Sequence, residues 1–348
     1  MTENEWRGGL TAEQDFILAE KPSNPAFLES ANFWLFGDNG EFAIPRTEVQ
    51  SSGERWDHHV VQLHAVTADG RAFFDPQELG QNEPVFGTDG KPRVLGSGPL
   101  RMEMVEPYRK WRLHYDGLPI ETTVAELVTK GRNAATDPSS GLKRTPLKVE
   151  LELDMVAPCW VQDNPEAKLK DLNPREQADA KAMGIGYRME QLCRGRGTYT
   201  LDGETRDFTC TGLRVHRQSY RPLGGFRGHV WQSAVFPDGR AFGHCVYPPG
   251  EDGSTHNDGY VYSGGKFYPA KAKTIPWFKE KIAEGEDVSV ELESALGVTR
   301  ISGRSKFNTF SEYVFGPGTF NFNQGGALFE WDGQQAYGMM ERSFFQKN

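Results

Sequence analysis

The stretch from residue 187 to residue 221 holds the side chains best suited to acid–base chemistry. His216 is the natural proton donor or acceptor there, because imidazole titrates near neutral pH. Glu190 precedes it as a partner or orienting group, and Arg214 or Tyr220 would donate a hydrogen bond to a substrate oxygen. The arginines would lower the pKa of His216, whereas Glu190 would raise it. In the alternative interpretation, His216 and the arginines only tie the interdomain connection together through hydrogen bonds to backbone carbonyls.

A second group of histidines, His58, His59 and His64, raises the question of a metal site. Neighbouring residues of a strand point to opposite faces, and residues six apart in an extended chain are about 20 Å apart. A compact His-x-His chelate does not occur in the sequence. We therefore predict no metal ligands and keep His58 or Asp57 as a further candidate for a proton donor that lines a pocket.

Aromatic residues are abundant, with 22 Phe, 11 Tyr and 8 Trp among 348 residues. Their rings can fill a β core or form the wall of an apolar pocket. We predict that Trp34, Trp111, Trp231 and His244 contact an apolar ligand. The sequence has no glycine fingerprint of a nucleotide site, no EF-hand loop and no Gly-x-Ser-x-Gly elbow. We therefore expect no cofactor.

Turn signals indicate that short strands position these residues. Eight Asp-Gly pairs punctuate the chain, and Asp-Gly between alternating segments is a strong hairpin signal. Around Asp238-Gly239, segments 231–236 and 241–247 are predicted to pair. The run 57–66 is predicted as a strand with His58 and His64 on one face, and 149–155 alternates apolar and acidic residues. Helices are expected only over 11–20, 173–183 and 275–283.

Length and charge limit the class of protein. A chain of 348 residues exceeds a comfortable single core, and a Gly- and Pro-rich stretch near 222 predicts two domains, 1–222 and 223–348. The net charge of -9 opposes nucleic-acid binding. The absence of a long apolar run or leader pattern predicts no membrane span and a cytoplasmic location, and a homodimer is the default assembly.

The order of motifs carries a family resemblance. The Glu190-Gln191 strand is followed by a hairpin over 195–203 and then by Arg214, His216 and Arg221 at matching spacing, with further matches at 106–113 and 338–343. In these features the chain resembles the carotenoid hydratases and AttH-like proteins. It departs from their pattern where Gln218 replaces the Trp expected two residues after the histidine.

The resemblance implies two tandem lipocalin-like, calycin-type antiparallel β-barrels with a cavity near their junction. Members of the family include cofactor-free hydratases and cyclases that protonate an alkene. We therefore predict an all-β protein with a few peripheral helices. Its predicted activity is that of a cofactor-independent acid–base lyase of the hydratase kind, or a related cyclase or isomerase. The substrate would be an apolar terpenoid, steroid or lignin-type aromatic. The alternative is a non-catalytic carrier, which needs few converging ionisable groups.

Overall fold

Two antiparallel sheets account for most of the chain in the computed structural model. The structure describes residues 1–75, 82–137, 139, 141–164, 166–221, 226–251, 253, 255–315 and 318–347. The predicted domain boundary at 222/223 lies outside these residues, so the division into domains stays a prediction. The sheets themselves divide cleanly, with the first ending at residue 220 and the second starting at residue 228.

The first sheet has twelve strands and curls on itself. Its strand order is β5-β6-β7-β9-β11-β12-β1-β2-β3-β4-β8, with β10 paired to β11. Phe33 of β1 meets Trp111 of β7, four strands away, with ring centroids 5.9 Å apart. The sheet therefore wraps around a core while β5 and β8 stay as edges. The strands are β1 (Phe27–Gly37), β2 (Phe42–Ser52), β3 (Val60–Thr67), β4 (Arg71–Phe74), β5 (Val94–Ser97), β6 (Leu100–Glu106), β7 (Lys110–Gly117), β8 (Ile120–Thr123), β9 (Leu147–Met155), β10 (Trp160–Asn164), β11 (Ile185–Leu201) and β12 (Glu204–Tyr220).

The second sheet is a closed barrel of eight strands that follow one another in chain order. Its last strand pairs with its first, so that Gly228 lies opposite Phe344. Closure pairs each of the eight described strands with a neighbour on both sides, so the barrel has no edge strand among them. The prediction of an all-β protein with two tandem lipocalin-like halves is confirmed. The strands are β13 (Gly228–Val235), β14 (Ala241–Val246), β15 (Asn257–Ser263), β16 (Lys266–Thr274), β17 (Val290–Ser294), β18 (Gly297–Phe315), β19 (Gly318–Trp331) and β20 (Gln334–Lys347).

Asp-Gly pairs form tight turns between several of these strands, as the sequence predicts. Asp202 and Gly203 join β11 to β12, and both residues have positive φ, 54° and 79°. This is the backbone of a two-residue hairpin turn, which Asp and Gly tolerate. Asp238-Gly239 likewise joins β13 to β14. Asp258 is an exception, because it lies inside β15 and pairs with Cys245 of β14.

Helices are short and peripheral. The predicted helix at 173–183 is α4, capped by Asn173, whose side chain accepts the N–H groups of Arg175 and Glu176. The prediction over 11–20 is wrong except for one 3₁₀ turn, Glu13–Asp15, and 275–283 is not helical. The α-helices are α1 (Glu3–Trp6), α2 (Val124–Lys130), α3 (Arg132–Ala135) and α4 (Pro174–Met183). No helix within the described ranges is long and apolar enough to cross a membrane.

Strand alternation sends β1 side chains to two different cores. Phe33 and Leu35 pack inside the first sheet, whereas Trp34 and Phe36 point outward into a cluster that also contains Trp231 of the barrel. A separate cluster fills the barrel interior. Because successive residues of a strand face opposite sides, one strand serves both its own core and the contact between the halves.

Candidate functional site

The candidate site is a cavity of about 460 Å³ between the outer face of the first sheet and the outer wall of the barrel. This volume suits a small organic ligand. The site lies at the junction because side chains fill the interior of each half. The lining residues are Leu28, Ser30, Asn32, Trp34, Arg46, Glu48, Gln50, Gln62, Met183, Arg188, Val215, Arg217, Arg221, Phe226, His229, Trp231, Cys245, Tyr247, Tyr313, Val314, Phe320, Phe322, Gln324 and Glu341.

Two other depressions suit a ligand less well. A groove of about 650 Å³ between the halves includes the exposed Arg194 and Arg196, whose charges are solvated. A pocket of about 110 Å³ inside the first half touches Glu29 and is too small for a drug-sized molecule. The junction cavity combines aromatic walls with buried ionisable groups, which is the usual character of a ligand site.

A pair of tryptophans forms the apolar wall of the cavity. Trp34 and Trp231 meet edge to face, with ring centroids 5.0 Å apart. A guanidinium also lies over each ring. The Arg46 guanidinium carbon is 5.0 Å from the centroid of Trp34, and that of Arg188 is 4.6 Å from the centroid of Trp231. The structure thus places two of the three predicted wall tryptophans at one site.

An imidazole with partners on both nitrogens also faces the cavity. His229 Nδ1 lies 2.8 Å from Ser343 Oγ, and its Nε2 lies 3.2 Å from Glu341 Oε1. The two partners are two residues apart on β20, so they share one face of that strand. Ser343 also accepts the backbone N–H of His229 at 3.1 Å. The ring is therefore held in one orientation against the cavity.

The charge beside His229 is fixed by its surroundings. Burial alone would raise the pKa of the Glu341 carboxyl, but the hydrogen bond from His229 and the positive charge of Arg46 lower it to about 2. Gln324 Nε2 donates to the other carboxylate oxygen at 2.9 Å. Glu341 is thus a permanent anion at neutral pH, and its Oε1 lies beside the Nε2 atom of His229.

Glu190 lies directly behind the tryptophan wall. Trp231 Nε1 donates to its carboxylate at 3.1 Å, and Arg188 forms a buried ion pair with it. Burial raises the pKa of Glu190 above its usual value, although Arg188 and Trp231 both oppose the rise. Glu190 therefore positions Trp231 and Arg188 at the cavity surface.

The prediction that Glu190 partners His216 is wrong in geometry. Across β11 and β12, Glu190 pairs with Val215 and His216 pairs with Met189. Directly paired residues share a face and neighbours alternate, so His216 lies on the inner side of the first sheet. There its Nε2 lies 2.6 Å from Glu29 Oε1.

Arg214 and His216 belong to a fully buried charge network around Asp15. Arg214 Nη2 donates to Asp15 Oδ1 at 2.7 Å, and His216 Nδ1 lies 3.4 Å from the same oxygen. Burial alone would lower the pKa of His216, but the charges and hydrogen bonds of Glu29 and Asp15 raise it to about 9. The network ties the N-terminal segment to the sheet through the carboxylates of Asp15 and Glu29, and not through backbone carbonyls at the interdomain connection.

The raised pKa of His216 predicts a pH-dependent stability. A histidine of folded pKa about 9 and unfolded pKa about 6.5 contributes fully below pH 6.5, and its contribution is lost as pH rises through 9. Wild type should exceed His216→Gln in free energy of unfolding, and that difference should shrink by up to about 3 kcal/mol between pH 6.5 and 9.5. Urea unfolding at several pH values measures it. A difference in free energy of unfolding that stays constant with pH would contradict the prediction. His58 is exposed, so the control His58→Gln should show the same pH dependence of stability as wild type.

The remaining predicted site residues lie elsewhere. Trp111 is buried inside the first half, with Arg214 4.8 Å from its ring centroid. His244 is inside the barrel 2.9 Å from Gln232, where burial lowers its pKa to about 3. His58 lies exposed before β3 instead of on the strand, and Tyr220 ends β12 half-buried. None of these four lines the junction cavity as the structure describes it.

A family comparison places the chain. The profile of a domain of unknown function, DUF7064, matches residues 25–346. The chain belongs to the DUF7064 family. Among curated proteins, none matches this DUF7064 sequence.

Solved structures share the fold of this DUF7064 protein at low sequence identity. An AttH-type protein of Nitrosomonas europaea superposes with a TM-score of 0.54 and 13% identity, covering 92% of this chain and 94% of the other. CghA, crystallised with Sch210972, gives 0.55 and 11%, covering 93% and 89%. Kievitone hydratase from Nectria haematococca gives 0.44 and 9%, covering 94% and 93%. The first two show that the architecture is that of AttH-like proteins.

The DUF7064 site includes residues that the sequence analysis did not single out, above all His229 and Glu341. The only local signal was that His229 and Trp231 share one strand face. The partner Ser343 is 114 positions away, so the set becomes visible only once the barrel closes. Among the described residues, no group of three or more His, Cys, Asp or Glu side chains is placed to hold a metal ion.

Proposed function

We propose that this protein is a cofactor-independent acid–base lyase of the hydratase kind, or a related cyclase or isomerase, acting on an apolar small molecule in the junction cavity. The observation that carries the proposal is His229. Its imidazole lies at the surface of an aromatic-walled cavity and is held by Ser343 and Glu341. A positioned imidazole beside a permanent anion is a competent proton donor and acceptor at neutral pH.

The roles follow from the contacts. Ser343 donates its hydroxyl hydrogen to Nδ1 of neutral His229, which leaves the proton on Nε2, beside the cavity and Glu341. Glu341 stabilises the imidazolium that forms when His229 takes up a proton. In hydration of an alkene, the imidazolium form of His229 would give its Nε2 proton to one carbon and become the neutral form. Water would then add to the other carbon, and the excess proton of that water would return to Nε2 and restore the imidazolium.

The apolar walls strengthen this chemistry. Trp34 and Trp231 exclude water, so the charge of Glu341 acts in a medium of low dielectric constant and has a larger effect than in water. Cation stabilisation by the faces of these rings is worth about 0.5–2 kcal/mol. CghA, which shares the fold, was crystallised with Sch210972, which supports a ligand on this architecture. A cytoplasmic location and a homodimer stay predictions from the sequence.

Mass spectrometry of small molecules incubated with the purified protein tests the proposal. A panel of terpenoids, steroids and lignin-type aromatics is analysed before and after incubation, and native mass spectrometry records which compounds bind. We expect at least one bound compound to change by the mass of water, or to isomerise with a new retention time. Binding without any conversion across the panel would favour the carrier function and contradict the lyase.

A further inference from the structure

Three arginines converge on one wall of the junction cavity. Arg188 of β11 and Arg217 of β12 are direct cross-strand partners, and Arg221 follows the end of β12. All three line the cavity, and we name them the basic cluster. Arg188 is 5% exposed and Arg217 is 8% exposed, so their charges are largely removed from bulk water.

Only one member of the basic cluster has a carboxylate partner among the described residues, namely Arg188 with Glu190. Arg217 Nη1 donates to the Met183 carbonyl oxygen at 2.5 Å and to Ser219 Oγ at 3.1 Å. Arg221 Nε donates to the Ala182 carbonyl oxygen at 2.6 Å. These neutral acceptors orient the two guanidinium groups and leave their charges uncompensated.

Glu48, which lines the same cavity, does not supply the missing charge. Glu48 acts on Arg217 electrostatically, but its carboxylate is already paired with Arg46 at 2.7 Å. Burial and the positive charges of Arg221 and Arg188 lower the pKa of the Arg217 guanidinium, which nevertheless stays protonated in proteins. Buried charges are ordinarily paired because desolvation is costly. An unpaired buried arginine at a cavity wall therefore indicates an anion that arrives from outside.

Counting the charges gives the same result. Among the described residues, four arginines line the cavity, and three carboxylates lie at or directly behind its wall, namely Glu48, Glu190 and Glu341. We infer that the ligand of this cavity is an apolar molecule with a carboxylate, which Arg217 and Arg221 bind while the hydrocarbon part packs against the tryptophan pair. This inference rests on the proposed function, because it assigns a ligand class to the same cavity. The planar guanidinium matches a carboxylate with paired N–H donors.

Matched acids and methyl esters test the inference by binding alone. The probes are dehydroabietic acid, dodecanoic acid and 4-phenylbutyric acid, each with its methyl ester, titrated at pH 7.5 with tryptophan fluorescence and calorimetry as readouts. We expect at least one acid to bind more tightly than its ester by roughly tenfold or more, the usual value of a charge-assisted hydrogen bond. Arg217→Met should remove the preference, and Arg217→Lys should retain part of it.

Two further variants keep the test decisive. Arg221 is half-buried, and Arg221→Met should reduce the preference for the acid over its ester by about threefold or more. This variant provides the test if Arg217→Met fails to fold. Arg194→Met, an exposed arginine of the other groove, should leave it unchanged. Equal affinity within every pair, no binding of any acid, or an unchanged preference in both cluster variants would overturn the inference. Equal affinities would leave the acid–base reaction standing, whereas acid-selective binding without turnover would leave the anion site standing.

Discussion

Replacing His229 with glutamine should lower turnover in the junction cavity by about 10²- to 10⁴-fold, the usual contribution of a positioned acid–base group. Glutamine retains a polar side chain for Ser343 and Glu341 but cannot carry a proton between pH 5 and 9. The loss should therefore appear in kcat, with a smaller change in KM. The compound that turns over fastest in the substrate panel serves as the substrate.

A second substitution separates this prediction from the one made by sequence alone. His216→Gln removes the histidine inside the first half. If the variant folds, its kcat at pH 7 should stay within about threefold of the wild-type value, because His216 contacts Glu29 and Asp15 rather than the cavity. Circular dichroism verifies that both variants are folded. Full activity in His229→Gln together with loss in His216→Gln would contradict the assignment of the site.

Replacing Asp15 with asparagine should lower the free energy of unfolding by about 3–5 kcal/mol, the typical cost of removing one partner of a buried ion pair. Asp15 and Arg214 are both fully buried, with Nη2 and Oδ1 2.7 Å apart. The substitution leaves Arg214 with no carboxylate partner among the described residues. It also removes a negative charge beside His216, so His216 should titrate at lower pH.

Urea unfolding of Asp15→Asn against wild type measures the effect at pH 7. Glu3→Gln, on the same N-terminal segment, is the matched control, because Glu3 forms an exposed ion pair with Arg109. Exposed pairs contribute about 0–1 kcal/mol, so the control should change little. A loss below about 1 kcal/mol in Asp15→Asn would show that the segment is not anchored by the Asp15 network.

Local features of the sequence predicted the fold class well. Asp202-Gly203 and Asp238-Gly239 form turns because the backbone preference that makes a hairpin turn belongs to the two residues themselves. Trp34 and Trp231 were predicted as wall residues from their aromatic character alone, and the same criterion also selected Trp111, which is buried inside the first half. The segment 275–283 is not helical although Phe278 is buried, because a helix of about nine residues is only marginally stable by local preference.

The sequence by itself determined a two-sheet β protein with enough aromatic residues to line a cavity. Tertiary structure decided which face each polar residue occupies. Because side chains alternate along a strand, the register between β11 and β12 put Glu190 at the junction and His216 inside the first half. Barrel closure brought His229 to Ser343, 114 residues away, and folding of the N-terminal segment brought Asp15 to Arg214 across 199 residues. Such pairings depend on strand register and closure, which no local stretch of the chain encodes.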